Sequence, residues 1–373
     1  MGRKWAEPVV VHRHHRAPLR HRKGLLLHSA WGRSGCRHTV GVVNKLPSAC
    51  VIVPTYRRPD YVKQCLERLT RQTVAPTEIL VVDSSPDDLT RKMVESYDSI
   101  GYLRNERGLG TTATSRAIGV EATTSEVIAF IDDDAFAETD WLEQLLRRYT
   151  DSEVAAVGGR ARNGQPGEER EGLGEIGRLL PDGRLTGYFA ADPGRDVDVD
   201  HMLGANMSWR RSVARELGGI RDYYPGTCLR EETDMSLRMR RAGYRVVFTP
   251  DAVVDHVAGP YARGRRFDLR YTYYGQRNHM VLLARTLGAG SPYFRRYWRT
   301  ALRDIRNDLR YGAHSLMGSG RSTAVGRLRG LAGGTSRGTV KLVGLLSGGM
   351  QVAKLQLMEH APVGGSKRRE LNP

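Results

Sequence analysis

Cysteine is scarce in this chain: there are four among 373 residues, and Cys36, Cys50, Cys65 and Cys228 show no paired spacing. That excludes a disulfide framework and a zinc site of the paired-cysteine kind, and makes a reducing, cytoplasmic setting the expectation. Long apolar runs are missing as well. No stretch approaches the roughly 20 apolar residues of a spanning helix. Gly24-Leu25-Leu26-Leu27 is too short for a signal-peptide core. Val340 to Met358 is interrupted by Gly344, Gly348 and Gly349 and charged at Lys341 and Lys354, which argues against a membrane span. Neither a Walker-type loop nor Gly-x-Gly-x-x-Gly follows the first strand. This counts against a nucleotide hydrolase or a dinucleotide oxidoreductase.

Acidic residues are few only at the two ends. The formal charge is +17, but residues 1–48 hold ten Lys/Arg against one acid, residues 49–260 hold 27 against 35, and residues 261–373 hold 21 against five. The basic excess therefore belongs to two flanks around an acidic centre, which opposes a nucleic-acid backbone as the partner of that centre. Residues 1–48 read as a basic, disordered arm. Its run His12-Arg13-His14-His15-Arg16 is assigned no function.

Order is expected from Ala49. Cys50-Val51-Ile52-Val53-Pro54 reads as a short buried strand, followed by the polar turn Thr55 to Asp60 and a helix with apolar positions Tyr61, Cys65, Leu66 and Leu69. Glu78 to Asp83 repeats the unit, and Leu103-Arg104-Asn105 ends a third strand. Val127-Ile128-Ala129-Phe130-Ile131 then stops on Asp132-Asp133-Asp134. Alternating strands and helices predict a doubly wound α/β sheet, with ligands at the carboxyl ends of the strands.

Along that edge would gather Thr55, Tyr56, Arg58, Asp83, Asn105, Arg116 and the three aspartates. Period two places Asp132 and Asp134 on one side and Asp133 on the other. Three adjacent carboxylates repel unless a cation sits among them, and hard oxygen ligands suit Mg²⁺ or Mn²⁺. The other reading of such a run is a solvated acidic turn. Asp83 could accept from a base N–H, a carboxylate from ribose, and arginine could hold phosphate.

The order Val53-Pro54-Thr55-Tyr56-Arg57-Arg58, Val81-Val82-Asp83, Asn105 with Arg116, and Phe130 to Asp134 resembles glycosyltransferase family 2. So do Gly204-Ala205-Asn206-Met207-Ser208-Trp209, the segment Glu231 to Arg245, and Ala252 to His256. The resemblance covers residues 49 to about 260. It implies a mixed, mostly parallel sheet of the A-type nucleotide-diphospho-sugar transferase fold, with a nucleotide-binding half (49–135) and an acceptor half (136–260); beyond it, charge and pattern predict a basic helical C-terminal region (261–373) ending in a disordered tail.

It also implies an inverting enzyme that moves a hexosyl or related sugar from a nucleotide-diphosphate sugar to a glycan or lipid-linked acceptor hydroxyl, in polysaccharide, glycolipid or cell-envelope glycan synthesis. By the same resemblance the donor nucleotide would meet Pro54, Thr55, Tyr56, Arg58, Asp83, Asn105, Arg116, Asp132 and Asp133. Mn²⁺ or Mg²⁺ would sit on Asp134, Asp132 and His256. The acceptor side would use Gly204, Ala205, Asn206 and Trp209, and the base would come from Glu231, Glu232 and Asp234, with Glu232 favoured. The family usually has Glu-Asp where Glu231 and Glu232 stand, and Asn-Gly or similar where Ser84-Ser85 stands. A binding protein for nucleotide sugars without transfer activity is the alternative, and a basic nucleic-acid-binding protein a weaker one.

Asn163 to Asp200 is long, Gly-rich and charged, and reads as a lid over the donor or as irregular surface. Two C-terminal helices are expected, Phe267 to Leu287 and Tyr293 to Arg310. The second is basic and aromatic, which suits peripheral contact with anionic lipid on the cytoplasmic face of a membrane. The competing reading is helix packing with a solvated arginine face.

Overall fold

A computed structural model describes residues 45–226, 229–257, 269–316 and 323–360. The arm over 1–44, the expected tail after 360, Phe267, Cys36 and Cys228 lie outside the described residues.

The first half alternates strand and helix as expected: β1 (Ala49–Thr55), α1 (Pro59–Leu69), β2 (Glu78–Asp83), α2 (Leu89–Val94), β3 (Ile100–Arg104), α3 (Thr112–Ala122) and β4 (Val127–Ile131). Every residue of β1 and β4 is buried. Ala49, Val51, Val53, Val127, Ala129 and Ile131 pack into one hydrophobic layer, and Cys50, Ile52, Ile128 and Phe130 into the other. A strand covered on both faces has no polar position to spare, which is why these runs lack the alternation of a half-exposed strand.

The second half adds β5 (Ala135–Ala137), α4 (Trp141–Arg147), β6 (Val154–Arg162), β7 (Val197–Asp198), β8 (Asn206–Arg210), α5 (Arg211–Glu216), α6 (Glu231–Arg241) and β9 (Arg245–His256). The sheet order is β3-β2-β1-β4-β8-β6-β9-β5, with β7 on β9. Strands β3, β2, β1 and β4 run parallel, β8 is antiparallel to β4 and β6, and β6 and β9 are parallel. The chain leaves β1 toward β2 and β3, then returns to the other side of β1 as β4. Between those two strand ends the helical connections diverge and a crevice opens.

Asn163 to Asp200 is structured. Gly177 N bonds Gly187 O at 3.0 Å, Leu180 N bonds Arg184 O at 2.8 Å and Thr186 N bonds Arg178 O at 2.9 Å, which together fold a small hairpin.

Among the described residues three helices follow: α7 (Leu269–Leu287), α8 (Pro292–Leu316) and α9 (Ala324–His360). The glycines of α9 do not break it. A Cβ on Gly334 would lie 2.6 Å from Asp308 O, and one on Gly348 would lie 2.7 Å from Met280 Cβ. Glycine is what lets α9 touch the backbones of α7 and α8. Buried Met280, Leu283, Phe294, Tyr297, Ile305 and Leu345 share a core with Tyr224 and Leu237, so the helices are anchored to α6. Among the described residues no helix is both long and apolar enough to cross a membrane.

Candidate active site

The carboxyl ends of β1 and β4 open into a cleft of about 1230 Å³. One wall includes Pro54 to Tyr61, Ser84, Thr111, Arg116, Asp132 to Asp134 and His256; the facing wall includes Leu185 to Gly187, His201 to Ala205, Arg230 and Glu232.

The triplet ends β4 and divides as period two requires. One ligand atom each from Asp132, Asp134 and His256 lies within 4.8 Å of the others, with His256 Nε2 3.4 Å from Asp134 Oδ1. His256 reaches this point because β9 pairs antiparallel with β5, placing it opposite Ala135. Two carboxylates and an imidazole form a donor set that fits Mn²⁺ or Mg²⁺. Asp133 turns away: Oδ2 accepts from Thr55 Oγ1 at 2.7 Å and Oδ1 from Arg58 Nη1 at 3.0 Å. Arg58 Nη1 also reaches Asp134 Oδ2 at 2.9 Å. Burial raises the Asp133 carboxyl to about 7, against the lowering effect of Arg58.

Arg116 is buried and already engaged. It donates to Asp132 Oδ1 at 3.0 Å and Gly204 O at 2.9 Å, forms a short ion pair with Glu231, and lies 5.8 Å from the Phe130 ring centroid. A Cβ on Gly204 would come within 2.9 Å of Arg116 Nη2, so a larger residue would push the guanidinium off its carboxylates. Arg116, expected to meet the donor nucleotide, lines the cleft and also joins the end of β4 to the start of α6. Burial raises Glu231 to about 7 and leaves its Oε2 without a hydrogen-bond partner, while Arg116 pulls the other way.

The three candidate bases separate in space. Glu232 lines the cleft, and burial raises its pKa. Glu231 faces Arg116. Asp234 is buried, accepting from Tyr224 Oη and from Arg238 Nε, both at 2.5 Å.

Several expected contact residues stand behind the wall. Asn206 accepts from Trp141 Nε1 at 2.8 Å and donates to Arg160 O at 3.0 Å and Ala252 O at 2.9 Å; its amide is spent tying β8 to its neighbours. Trp209 packs in the core, 4.6 Å from Phe130 between ring centroids. Only Gly204 and Ala205 of that segment line the cleft, because Asn206 begins β8 and Trp209 lies within it. Asn105 is buried, bonding Thr111 Oγ1 at 2.9 Å and Ser115 Oγ at 2.8 Å, and so orients two residues that do line it. Asp83 is fully buried, accepting from Ser85 N at 2.8 Å, Ser85 Oγ at 2.5 Å and Tyr102 Oη at 3.1 Å; its neighbour Ser84 is the cleft residue.

Sequence reasoning read 163–200 as a lid or irregular surface without singling out Leu185, Thr186 and Gly187, and it missed His201 and Arg230. None stands in a motif, and only the fold carries them to the wall.

A parallel half-sheet with an acidic, metal-capable strand end, extended by a mixed second half, is the architecture of nucleotide-diphospho-sugar transferases of the A type. The family model described as Glycosyl transferase family 2 matches residues 50–218. Glycosyltransferase AglE of Haloferax volcanii is 30% identical over 228 residues, which cover 59% of this chain and 70% of AglE. The chain belongs to glycosyltransferase family 2. O-antigen chain rhamnosyltransferase WbaN of Salmonella anatum is 27% identical, over 57% of this chain and 66% of that protein. The chain thus spans just under two thirds of the length of WbaN. Mannosyltransferase PcManGT from Pyrobaculum calidifontis, solved with GDP-Man and Mn²⁺, shares the fold with a TM-score of 0.52 and 18% identity, over 83% of this chain and 88% of that one.

Proposed function

We propose that the chain is an inverting glycosyltransferase that moves a sugar from a nucleotide-diphosphate donor to a glycan or lipid-linked acceptor hydroxyl in polysaccharide, glycolipid or cell-envelope glycan synthesis. The observation that carries this is the convergence of Asp132, Asp134 and His256 within 4.8 Å on a cleft whose facing wall presents Glu232.

The nucleotide lies along Pro54, Thr55, Tyr56 and Arg58, with Ser84 near the base and Asp83 holding that turn. Asp132, Asp134 and His256 hold the cation. Bound there, Mn²⁺ or Mg²⁺ supplies charge neutralisation for the departing diphosphate. Glu232 accepts the acceptor hydroxyl proton as that oxygen bonds to the anomeric carbon, while the carbon–oxygen bond to the diphosphate breaks and its electron pair leaves with the nucleotide. Among the described residues Glu232 is the only carboxylate of the cleft lining outside the triplet and Asp60. Its raised pKa makes it the stronger base.

Peripheral contact with an anionic membrane, in a cytoplasmic setting, belongs to the same proposal. Arg295, Arg299, Arg303, Arg306 and Arg310 are exposed on α8, beside Leu302, which is 49% exposed. Among the described residues none of these arginines pairs with a carboxylate. Co-sedimentation with vesicles containing phosphatidylglycerol, and none with pure phosphatidylcholine, is the expected result.

A thermal-shift panel of UDP-, GDP- and dTDP-sugars with and without Mn²⁺ tests the donor site. The reading is abandoned if no nucleotide gives a metal-dependent shift.

A further inference from the structure

Three non-glycine residues among those described have positive φ, namely Arg57, Tyr188 and Arg230. Arg57 and Tyr188, at 55° and 60°, sit near the ordinary left-handed well. Arg230, with φ 93° and ψ −3°, does not; it holds a conformation suited to glycine at the residue preceding α6. Strain of this kind persists where the surroundings impose it, and it concentrates at binding sites.

The side chain supplies a second, independent observation. Arg230 lines the cleft on the same wall as Glu232, and its Nε is buried with no hydrogen-bond partner. Among the described residues no carboxylate lies within ion-pair distance of it, whereas Arg58 and Arg116 are each engaged by two. Burial, and after it the charge of Arg230, lowers the pKa of both His201 and His279, whose Nε2 atoms lie 2.8 Å from Thr186 O and 2.7 Å from Gly183 O of the 177–187 hairpin. Those two imidazoles are held neutral, so they add no positive charge that would compete for an anion. At the rim of the same cleft lies Arg270, 5.8 Å from the Tyr274 ring centroid. Among the described residues of the lining the donor side is rich in carboxylates, and the acceptor side has Arg230, Arg270 and one carboxylate, Glu232.

We propose that Arg230 anchors an oxyanion, a phosphate or carboxylate carried by the acceptor beside its reacting hydroxyl, and so selects acidic acceptors. This rests on the transferase reading for the word acceptor, but the anion site itself does not. A guanidinium with unused donors matches an oxyanion in geometry and charge. A like-charged neighbour to Glu232's own anion would be repelled without it.

The test uses inorganic phosphate as the probe, titrated into the full chain in chloride buffer without divalent metal and followed by calorimetry. Phosphate should bind the wild type. Arg230→Gln should weaken it by about tenfold or more, and Arg230→Lys by less. Arg230→Gly should lose phosphate binding while its Tm stays at or above that of the wild type, since glycine accepts the φ of 93°. Phosphate should still bind after saturation with the nucleoside diphosphate and Mn²⁺.

The proposal is overturned if Arg230→Gln binds phosphate as the wild type does, or if wild type binds none. It is equally overturned if saturation with nucleoside diphosphate and Mn²⁺ abolishes phosphate binding, because the anion would then be the donor's own diphosphate. Failure of the donor panel with phosphate binding intact would remove the transferase reading and leave the anion site standing.

Discussion

Arg116 donates to Asp132 at 3.0 Å and pairs with the buried Glu231, so one guanidinium joins the end of the metal-capable strand to the start of the helix that carries Glu232. Together with the pairing of β4 to β8, this side chain ties the two walls of the cleft to each other.

Removing that charge leaves Glu231 buried without compensation. Arg116→Gln should cost about 3–5 kcal/mol in chemical denaturation. The double variant Arg116→Met, Glu231→Leu should recover part of it, since neither charge then remains. Equal stability of the single variant and the wild type would show that the pair bears no load.

At the triplet, Asp134→Asn should abolish Mn²⁺-dependent thermal stabilisation by the nucleoside diphosphate. At 100 times the dissociation constant that stabilisation is worth about 2.7 kcal/mol in the wild type. His256→Ala should weaken the metal effect less, by removing one of three ligand atoms. Metal dependence unchanged in Asp134→Asn would place the cation elsewhere.

Glu232 and Asp234 should part company when each is changed to its amide. Glu232→Gln is expected to fold normally and lose single-turnover transfer by at least about a hundredfold, the scale of a lost general base. Asp234→Asn should chiefly lose stability, on the order of 3 kcal/mol, because Arg238 and Tyr224 are buried against it. Full transfer by Glu232→Gln would sink its assignment.

Burial, aided by the charge of Arg230, lowers His201 to about 4 and His279 to about 3, from an ordinary value of 6.5. A folded pKa below the unfolded one means the unfolded chain binds more protons between them. Stability from these groups is therefore intact above pH 6.5 and falls as the pH drops toward 4. For His201 alone the loss by pH 4 is on the order of 3 kcal/mol. Urea titrations of wild type and His201→Gln between pH 4 and 7 should show a shallower slope for the variant. In that difference the opposite contributions of Asp133 and Glu231, both raised to about 7, cancel.

The sequence alone determined what depends on local order. A fully apolar run such as Val127 to Ile131 must be a buried strand. The alternation of strands and helices must build a sheet with its ligands at one edge, and period two separates Asp133 from Asp132 and Asp134. The sequence also carried the ordered motifs of family 2. Tertiary structure alone decided which of those residues face the cleft. Asn206 and Trp209 sit in the right segment but on a strand whose side chains are consumed by the sheet and core. Asp234 is two residues from Glu232, yet it turns to Tyr224 and Arg238. Arg230, without any motif, enters the cleft through a backbone conformation that composition and spacing cannot express. Strand identity is set by neighbours in the chain. A side chain's partner is set by which elements pack together, and packing gave Arg116 two carboxylate partners while, among the described residues, Arg230 has none within ion-pair distance.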